Sequence, residues 1–275
     1  LFLAGLVNVA LNYILVAWFS LGVIGVAVGT TASQFLSAIA VVAVLIRRRG
    51  FGHFSLRRMR INRQALFEMT RIGLPAGVQG TIFSISNVII QSSINSFGDI
   101  AMAGNAAAAN LEGFVYISMN SISQACLTFT ARNYGARNAS NMRLVLYQCL
   151  GIVTVVGVVM GGAVYLLAGP LLSIYNGDAQ VIAYGAERLL IVCVPYFLCG
   201  IMEVVVGSLR GMGCSVLPML SAIAGVCGIR IVWIYTIFAW IHTIPSLYLL
   251  YVFSWLITSA AEIIYFIISY RKLKC

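Results

Sequence analysis

Few residues in this chain could do chemistry, and their spacing is regular. Glu112, Tyr116, Asn120 and Gln124 recur at four-residue steps, and so do Asn87, Gln91 and Asn95. Four residues is close to one helical turn, so each set reads as a polar stripe along one helix face. Both stripes lie inside long apolar runs. Polar groups in hydrocarbon are costly, so they face either a water-filled cavity or a hydrogen-bonding neighbour helix. Both readings stay open for Glu112 and for the amide stripe. The other ionisable groups within apolar runs are Glu187, Arg188, Glu203, Arg230 and Glu262. Glu187 and Arg188 are adjacent and point apart, so Arg188 either pairs with an acid of another helix or extends its charge outward. Arg230 and Glu203 lie in segments joined by a short turn, where a buried pair would fit. Glu262 has no evident partner.

Hydrolysis or phosphoryl transfer needs a nucleophile–base pair or a metal cluster. The sequence has no H-E-x-x-H and no paired intramembrane aspartates. Asp99 and Asp178 both fall in turns, and the histidines are His53 and His242. The seven cysteines, at 126, 149, 193, 199, 214, 227 and 275, form no C-x-x-C pair. Most lie in apolar runs and read as small core fillers. An enzyme, a metal site and a cofactor are therefore not expected.

The elements that must carry these residues are membrane helices. Hydrophobic residues make up 61% of the 275, charged residues 9%, and the mean hydropathy is +0.99. A soluble chain carries roughly 25% charge. A spanning helix takes about 20 apolar residues, and eight such segments can be drawn, at 1–19, 21–46, 72–98, 100–131, 144–168, 179–209, 213–240 and 244–270. Gly169-Pro170 and Asn176-Gly177-Asp178 break the fifth from the sixth. Pro75 and Pro195 lie inside apolar segments and predict kinks. Small residues at Gly25 to Gly29, Ala106 to Ala109 and Gly157 to Gly162 let helix backbones approach closely in lipid. The chain begins at Leu1 inside an apolar helical pattern, and a truncated start with further helices upstream is expected.

Charge fixes the expected topology. The net charge is +10, which alone would suit nucleic acid, but the basic residues sit between apolar runs. Arg47, Arg48, Arg49, Arg57, Arg58, Arg60, Arg63 and Arg71 share the polar stretch 47–71. Arg132, Arg137 and Arg143 follow in one loop, then Arg210, then Arg271, Lys272 and Lys274 in the tail. All but Arg188 and Arg230 of the seventeen basic residues thus gather on one side of an eight-helix arrangement. The positive-inside rule places the 47–71 linker and the C-terminus in the cytoplasm. Within the linker, Ile61 to Met69 reads either as a short interfacial helix or as a plain solvated loop. Segments one and two match segments seven and eight in topology, each pair ending in a basic cluster. That gives three parts: 1–46, the last two helices of an N-terminal lobe; 47–71, the cytoplasmic basic linker; and 72–275, a C-terminal six-helix lobe. The fold class is an all-α polytopic membrane protein with a parallel pseudo-repeat, a known transporter design.

Several short motifs point to one family: Leu74-Pro75 ahead of the Asn87/Gln91/Asn95 helix, Ala131-Arg132-Asn133-Tyr134-Gly135-Ala136-Arg137, Leu209-Arg210-Gly211-Met212-Gly213, and Asn8 to Asn12 followed by Gly22 to Ala27, Thr30 and Ser33-Gln34. Together, in this order, they resemble the multidrug and toxic compound extrusion (MATE) family over essentially the whole chain, as the last eight of twelve helices. The resemblance implies a secondary antiporter exporting organic cations or other amphipathic compounds by alternating access, driven by H⁺ or Na⁺. It also implies a coupling site on the fifth and sixth helices, where Asn8, Asn12 and Thr30 stand at the family's Asn, Asp and Thr positions. Asn12 replaces the carboxylate, so it cannot carry a proton, but its carbonyl oxygen can serve a cation. An acid that other members place on the seventh helix, near Phe83, is absent, and Arg132 stands where Gln is common. The expected substrate cavity takes Asn87, Gln91, Asn95, Tyr116, Asn120 and Gln124, with Glu112 attracting a cation. Expected partners are a small molecule and the plasma-membrane bilayer, with no nucleic acid and a monomeric state. Alternatives are a lipid-linked oligosaccharide flippase of the same superfamily, which needs a more cationic cavity, an intramembrane enzyme, and a structural scaffold.

Overall fold

The computed structural model describes residues 2–47 and 60–274, and these form helices joined by short turns. In chain order they are α1 (Phe2–Tyr13), continued by a π turn to Trp18, α2 (Gly22–Arg47), α3 (Arg63–Asn95), α4 (Asp99–Gly135), α5 (Ala139–Leu166) and the short α6 (Ala168–Ser173). Then follow α7 (Ala179–Arg188), α8 (Phe197–Gly211), α9 (Val216–Ala222), α10 (Ile229–Trp233) and α11 (Ile244–Lys274). Each of the eight apolar segments is helical. Among the described residues six rods are long and apolar enough to cross a membrane: Gly22–Arg47, Arg63–Asn95, Ala139–Leu166, Ala179–Gly211, Val216–Phe238 and Ile244–Arg271. Leu3–Trp18 is apolar but shorter. α4, at 37 residues, is long but interrupted by Asn105, Asn110, Glu112, Asn120 and Gln124.

The helix ends depart from the hydropathy boundaries for a physical reason. Hydropathy marks the apolar stretch, whereas backbone hydrogen bonding continues until a breaker or cap stops it. α3 begins at Arg63, so Arg63 to Arg71 form its first turns rather than a separate interfacial helix. Residues 48–59 of the expected 47–71 linker lie outside the described residues. The 132–143 loop shrinks to a turn at Ala136 to Asn138, where Arg137 takes a positive φ of 54°. Asn138 then caps α5, accepting from Asn141 N at 3.1 Å. Gly169-Pro170 is not an open turn. It lies in α6, where proline fits a first helical turn that has no partner for its N–H. Asp178 caps α7 by accepting from Gln180 N at 2.8 Å. Pro195 ends the regular α7 ladder. Leu189–Cys193 form a π turn and Val194–Tyr196 a 3₁₀ turn before α8 resumes.

The chain divides into two units, Leu1–Arg63 and Gln64–Cys275. In the first, α1 packs against α2. In the second, α4 is the central rod, packed against α5, α7 and α8, and α11 lies against α8. Val115, Met119, Cys126, Val153, Leu189 and Leu209 form the middle of one buried cluster. Ile90, Ile94, Val226, Leu247, Tyr248 and Trp255 belong to a second. Close approach depends on small residues. A side chain at Gly161 would run into the Cys193 carbonyl, and one at Gly207 would meet Ser123 O at 2.8 Å. Meanwhile Val23, Ile24, Val155 and Val159 stand exposed, an apolar surface suited to lipid or to a neighbouring helix.

Candidate functional site

Residues of α3, α4, α8, α10 and α11 line an open-sided cavity of about 390 Å³ in the second unit. Asn87, Tyr116, Tyr196, Glu203, Arg230 and Trp255 are among its lining residues. Arg230 follows a π turn at Ile223–Gly228, which re-aims the residues after it toward α3 and α11. Its Nη1 donates to Asn87 Oδ1 at 3.2 Å and its Nε to Ser254 Oγ at 3.4 Å. The guanidinium carbon lies 4.5 Å from the centre of the Tyr251 ring. Tyr196 and Trp255 meet edge to face at 5.0 Å beside it. The buried Arg230–Glu203 pair that the sequence allowed does not form: both line the cavity, and no ion pair joins them among the described residues.

A second arginine has the opposite fate. Arg188 holds Glu112 through both carboxylate oxygens, Nε to Oε1 and Nη2 to Oε2, each at 2.8 Å. Its Nη1 donates to Asn105 Oδ1 at 2.5 Å. Tyr248 Oη also donates to Asn105 Oδ1, at 3.5 Å, while Asn105 Nδ2 donates to Gln91 Oε1 at 3.0 Å. Gln91 Nε2 then donates to Asn95 Oδ1 at 3.1 Å. Arg188 and Glu112 are both buried, so this is a two-pronged ion pair closed inside the bundle.

This corrects the sequence reading of Glu112. Its carboxylate is not a free charge awaiting a cation, because Arg188 neutralises it. Nor do the four residues of its stripe share one environment. Steps of four drift roughly 40° round a helix with 3.6 residues per turn. Glu112 accordingly turns into the bundle and Tyr116 reaches the cavity, while Asn120 is half-buried and Gln124 exposed. The α3 stripe splits in the same way, with Asn87 on Arg230 and with Gln91 and Asn95 in the Arg188 network. Asn105, Tyr248, Tyr251, Ser254 and Trp255 were missed. Asn105 had a legible signal, since it precedes Glu112 by seven residues, nearly two full turns. Glu262 is fully buried and accepts from Ser221 Oγ at 3.4 Å.

In the first unit, Asn8, Asn12 and Thr30 come together. Asn8 Nδ2 donates to Thr30 Oγ1 at 3.3 Å and to Ser33 Oγ at 3.1 Å, and Asn12 Nδ2 donates to Asn8 Oδ1 at 3.3 Å. Ser33, named in the sequence only as part of a family motif, joins the cluster through Asn8. Asn12 Oδ1 is buried with no hydrogen-bond partner among the described residues. It presses on Gly29 so closely that a Cβ there would collide with it. The cluster offers neutral oxygens and no carboxylate. A larger trough of about 640 Å³, lined by Tyr165, Gln180 and Glu187, is an open surface with one charged group.

Helices of membrane-crossing length around a polar-lined cavity define a multi-pass membrane protein. The chain belongs to the MatE family, whose model matches residues 75–236. It is 22% identical over 239 residues to the probable multidrug resistance protein YoeA of Bacillus subtilis, covering 84% of this chain and 51% of that protein. It is 26% identical over 224 residues to the probable multidrug resistance protein NorM of Thermotoga maritima, covering 79% and 48%. The chain therefore spans about half the length of these curated relatives. A MOP superfamily transporter from Pyrococcus furiosus superposes with a TM-score of 0.90 at 18% identity, covering 99% of this chain and 62% of that one. The bent form of the MATE transporter VcmN of Vibrio cholerae superposes with a TM-score of 0.82 at 20% identity, covering 98% and 61%.

Proposed function

We propose that the polypeptide carrying this chain is a secondary active antiporter that exports amphipathic aromatic compounds across the plasma membrane by alternating access. The observation that carries this reading is the cavity of the second unit, walled by tyrosine and tryptophan rings and provided with convergent polar groups, in a chain of the MatE family. In this reading eight helices cross the bilayer. Residues 1–46 supply the last two helices of a first lobe, 72–275 form a complete second lobe, and the 47–71 linker and the C-terminus lie in the cytoplasm. The transporter works as a monomer, exchanging its substrate for H⁺ or Na⁺, and it is not an enzyme.

Asn8, Asn12, Thr30 and Ser33 hold the coupling ion in this account, with Asn12 Oδ1 the oxygen left available for it. Neutral oxygens suit Na⁺ better than a transferable proton. Asn87 and Tyr116 contact the substrate, while Gln91 and Asn95 position Asn105 in the Arg188 network. The expectation of an organic cation, which the family resemblance implies, loses the added support of an unpaired Glu112. A flippase for pyrophosphate-linked glycans is disfavoured, because Arg230 is the single basic residue lining the described cavity and Arg188 is committed to Glu112.

The reading is tested in proteoliposomes containing the complete polypeptide, by following efflux of a fluorescent amphiphile under an imposed Na⁺ or H⁺ gradient. Gradient-driven flux, greater with Na⁺, is expected. Equal, gradient-independent leakage under both conditions contradicts it.

A further inference from the structure

We propose that the cavity recognises its substrate by a carboxylate, with Arg230 as the anchor and the rings of Tyr196, Tyr251 and Trp255 holding an aromatic body. This rests on the transport reading for its purpose but makes a separate statement about binding.

The inference comes from how Arg230 is held. A guanidinium has five N–H donors. Those of Arg230 that are engaged go to Asn87 Oδ1 and Ser254 Oγ, both neutral. No carboxylate lies within ion-pair distance of it among the described residues. An unmatched charge inside a membrane bundle is costly, and such residues mark a ligand or ion path. The hydrogen bonds at Nε and Nη1, together with the Tyr251 ring, fix the plane of the fork, and that pre-organisation suits two-pronged recognition of a carboxylate. Arg188 on Glu112 shows the same chemistry satisfied from within the chain.

Glu203 lines the same cavity without pairing to Arg230. It would meet an ammonium carried by the same substrate, so a zwitterion is tolerated. A plain cation finds the acid but also an uncompensated arginine. Trp255 and Tyr196 supply flat apolar walls, which favour a ring over a flexible chain.

Binding of three matched compounds, 1-naphthoate, 1-naphthylalanine and 1-naphthylmethylammonium, is to be measured by quenching of tryptophan fluorescence with the complete polypeptide in nanodiscs. Naphthoate is expected to bind about tenfold or more tighter than the ammonium compound, since a charge-assisted two-pronged contact is worth at least that factor. Naphthylalanine should bind comparably to naphthoate. Arg230→Gln should remove the advantage of naphthoate and leave the ammonium compound unweakened, while Arg230→Lys should restore part of it. Glu203→Gln leaves Arg230 intact and should tighten naphthoate several-fold. Tighter binding of the ammonium compound, loss of all three compounds alike in Arg230→Lys, or weaker naphthoate binding in Glu203→Gln overturns the proposal. Carboxylate preference without gradient-driven flux overturns the transport reading alone. Flux with a preference for the cation overturns this one alone.

Discussion

Arg188 and Arg230 are equally buried, at 6% and 5% exposure, and both sit beside Tyr251 in the second unit. Arg188 closes on Glu112 through two 2.8 Å bonds. Arg230 has only an amide and a hydroxyl and faces a cavity. The difference teaches that burial alone does not identify a functional charge in a membrane bundle. What matters is whether the compensating charge belongs to the chain. Arg188 holds α4 and α7 together, whereas Arg230 is set up for a counter-ion from outside.

The comparison breaks most sharply at Glu112. Glu112→Gln leaves Arg188 buried without its counter-charge, and disruption of such a pair costs about 3–5 kcal/mol. Denaturant unfolding in detergent should show that loss, together with less folded protein in the membrane. The double variant Glu112→Gln with Arg188→Met should be more stable than Glu112→Gln alone, because the stranded charge is gone. If the two single losses simply add, the pair is not coupled as described.

Gly161 tests the packing on the sealed side. Gly161→Ala puts a methyl group into the backbone carbonyl of Cys193, five residues after Arg188, whereas Gly162→Ala meets nothing within 4 Å. The first should lose about 1–3 kcal/mol and the second almost nothing. Equal unfolding midpoints for the two variants would contradict the close approach of α5 to the turn after α7.

Arg230→Gln should lose only about 1–2 kcal/mol of stability, since its partners are neutral and can rebond. A loss as large as that of Glu112→Gln would show that Arg230 is structural in the same sense as Arg188. The smallest effect is expected in the first unit. Asn12→Ala removes a single bond, to Asn8, worth about 0.6 kcal/mol in a membrane interior. It should therefore shift unfolding only slightly while reducing Na⁺ dependence of transport.

The rods were legible in the sequence because about 20 apolar residues in a row leave few alternatives to a helix. Their ends were less so: α3 runs back to Arg63 and α5 to Ala139, because helical hydrogen bonds outlast the apolar stretch. Asn8, Asn12 and Thr30 were singled out only through the family resemblance, and hydrogen bonds join them in the fold. The Glu112 stripe was read too simply. Spacing gives a face, but four-residue steps rotate away from it, and seven-residue spacing would have joined Asn105 to Glu112 instead. Sequence narrowed Arg188 to an acid on another helix or an outward reach. Choosing Glu112 needed the crossing of α4 and α7, a tertiary fact with no local signal. Likewise, Arg230 and Asn87 are 143 positions apart, and only the fold brings them into contact.

The central claim is that one buried arginine is closed by the chain and the other is open to a ligand. Arginine modification by phenylglyoxal in nanodiscs, mapped by peptide mass spectrometry with and without 1-naphthoate, reads this directly. Arg230 should be modified and protected by naphthoate, and Arg188 should stay unmodified in both conditions. Modification of Arg188 ahead of Arg230, or an Arg230 indifferent to naphthoate, would contradict the account.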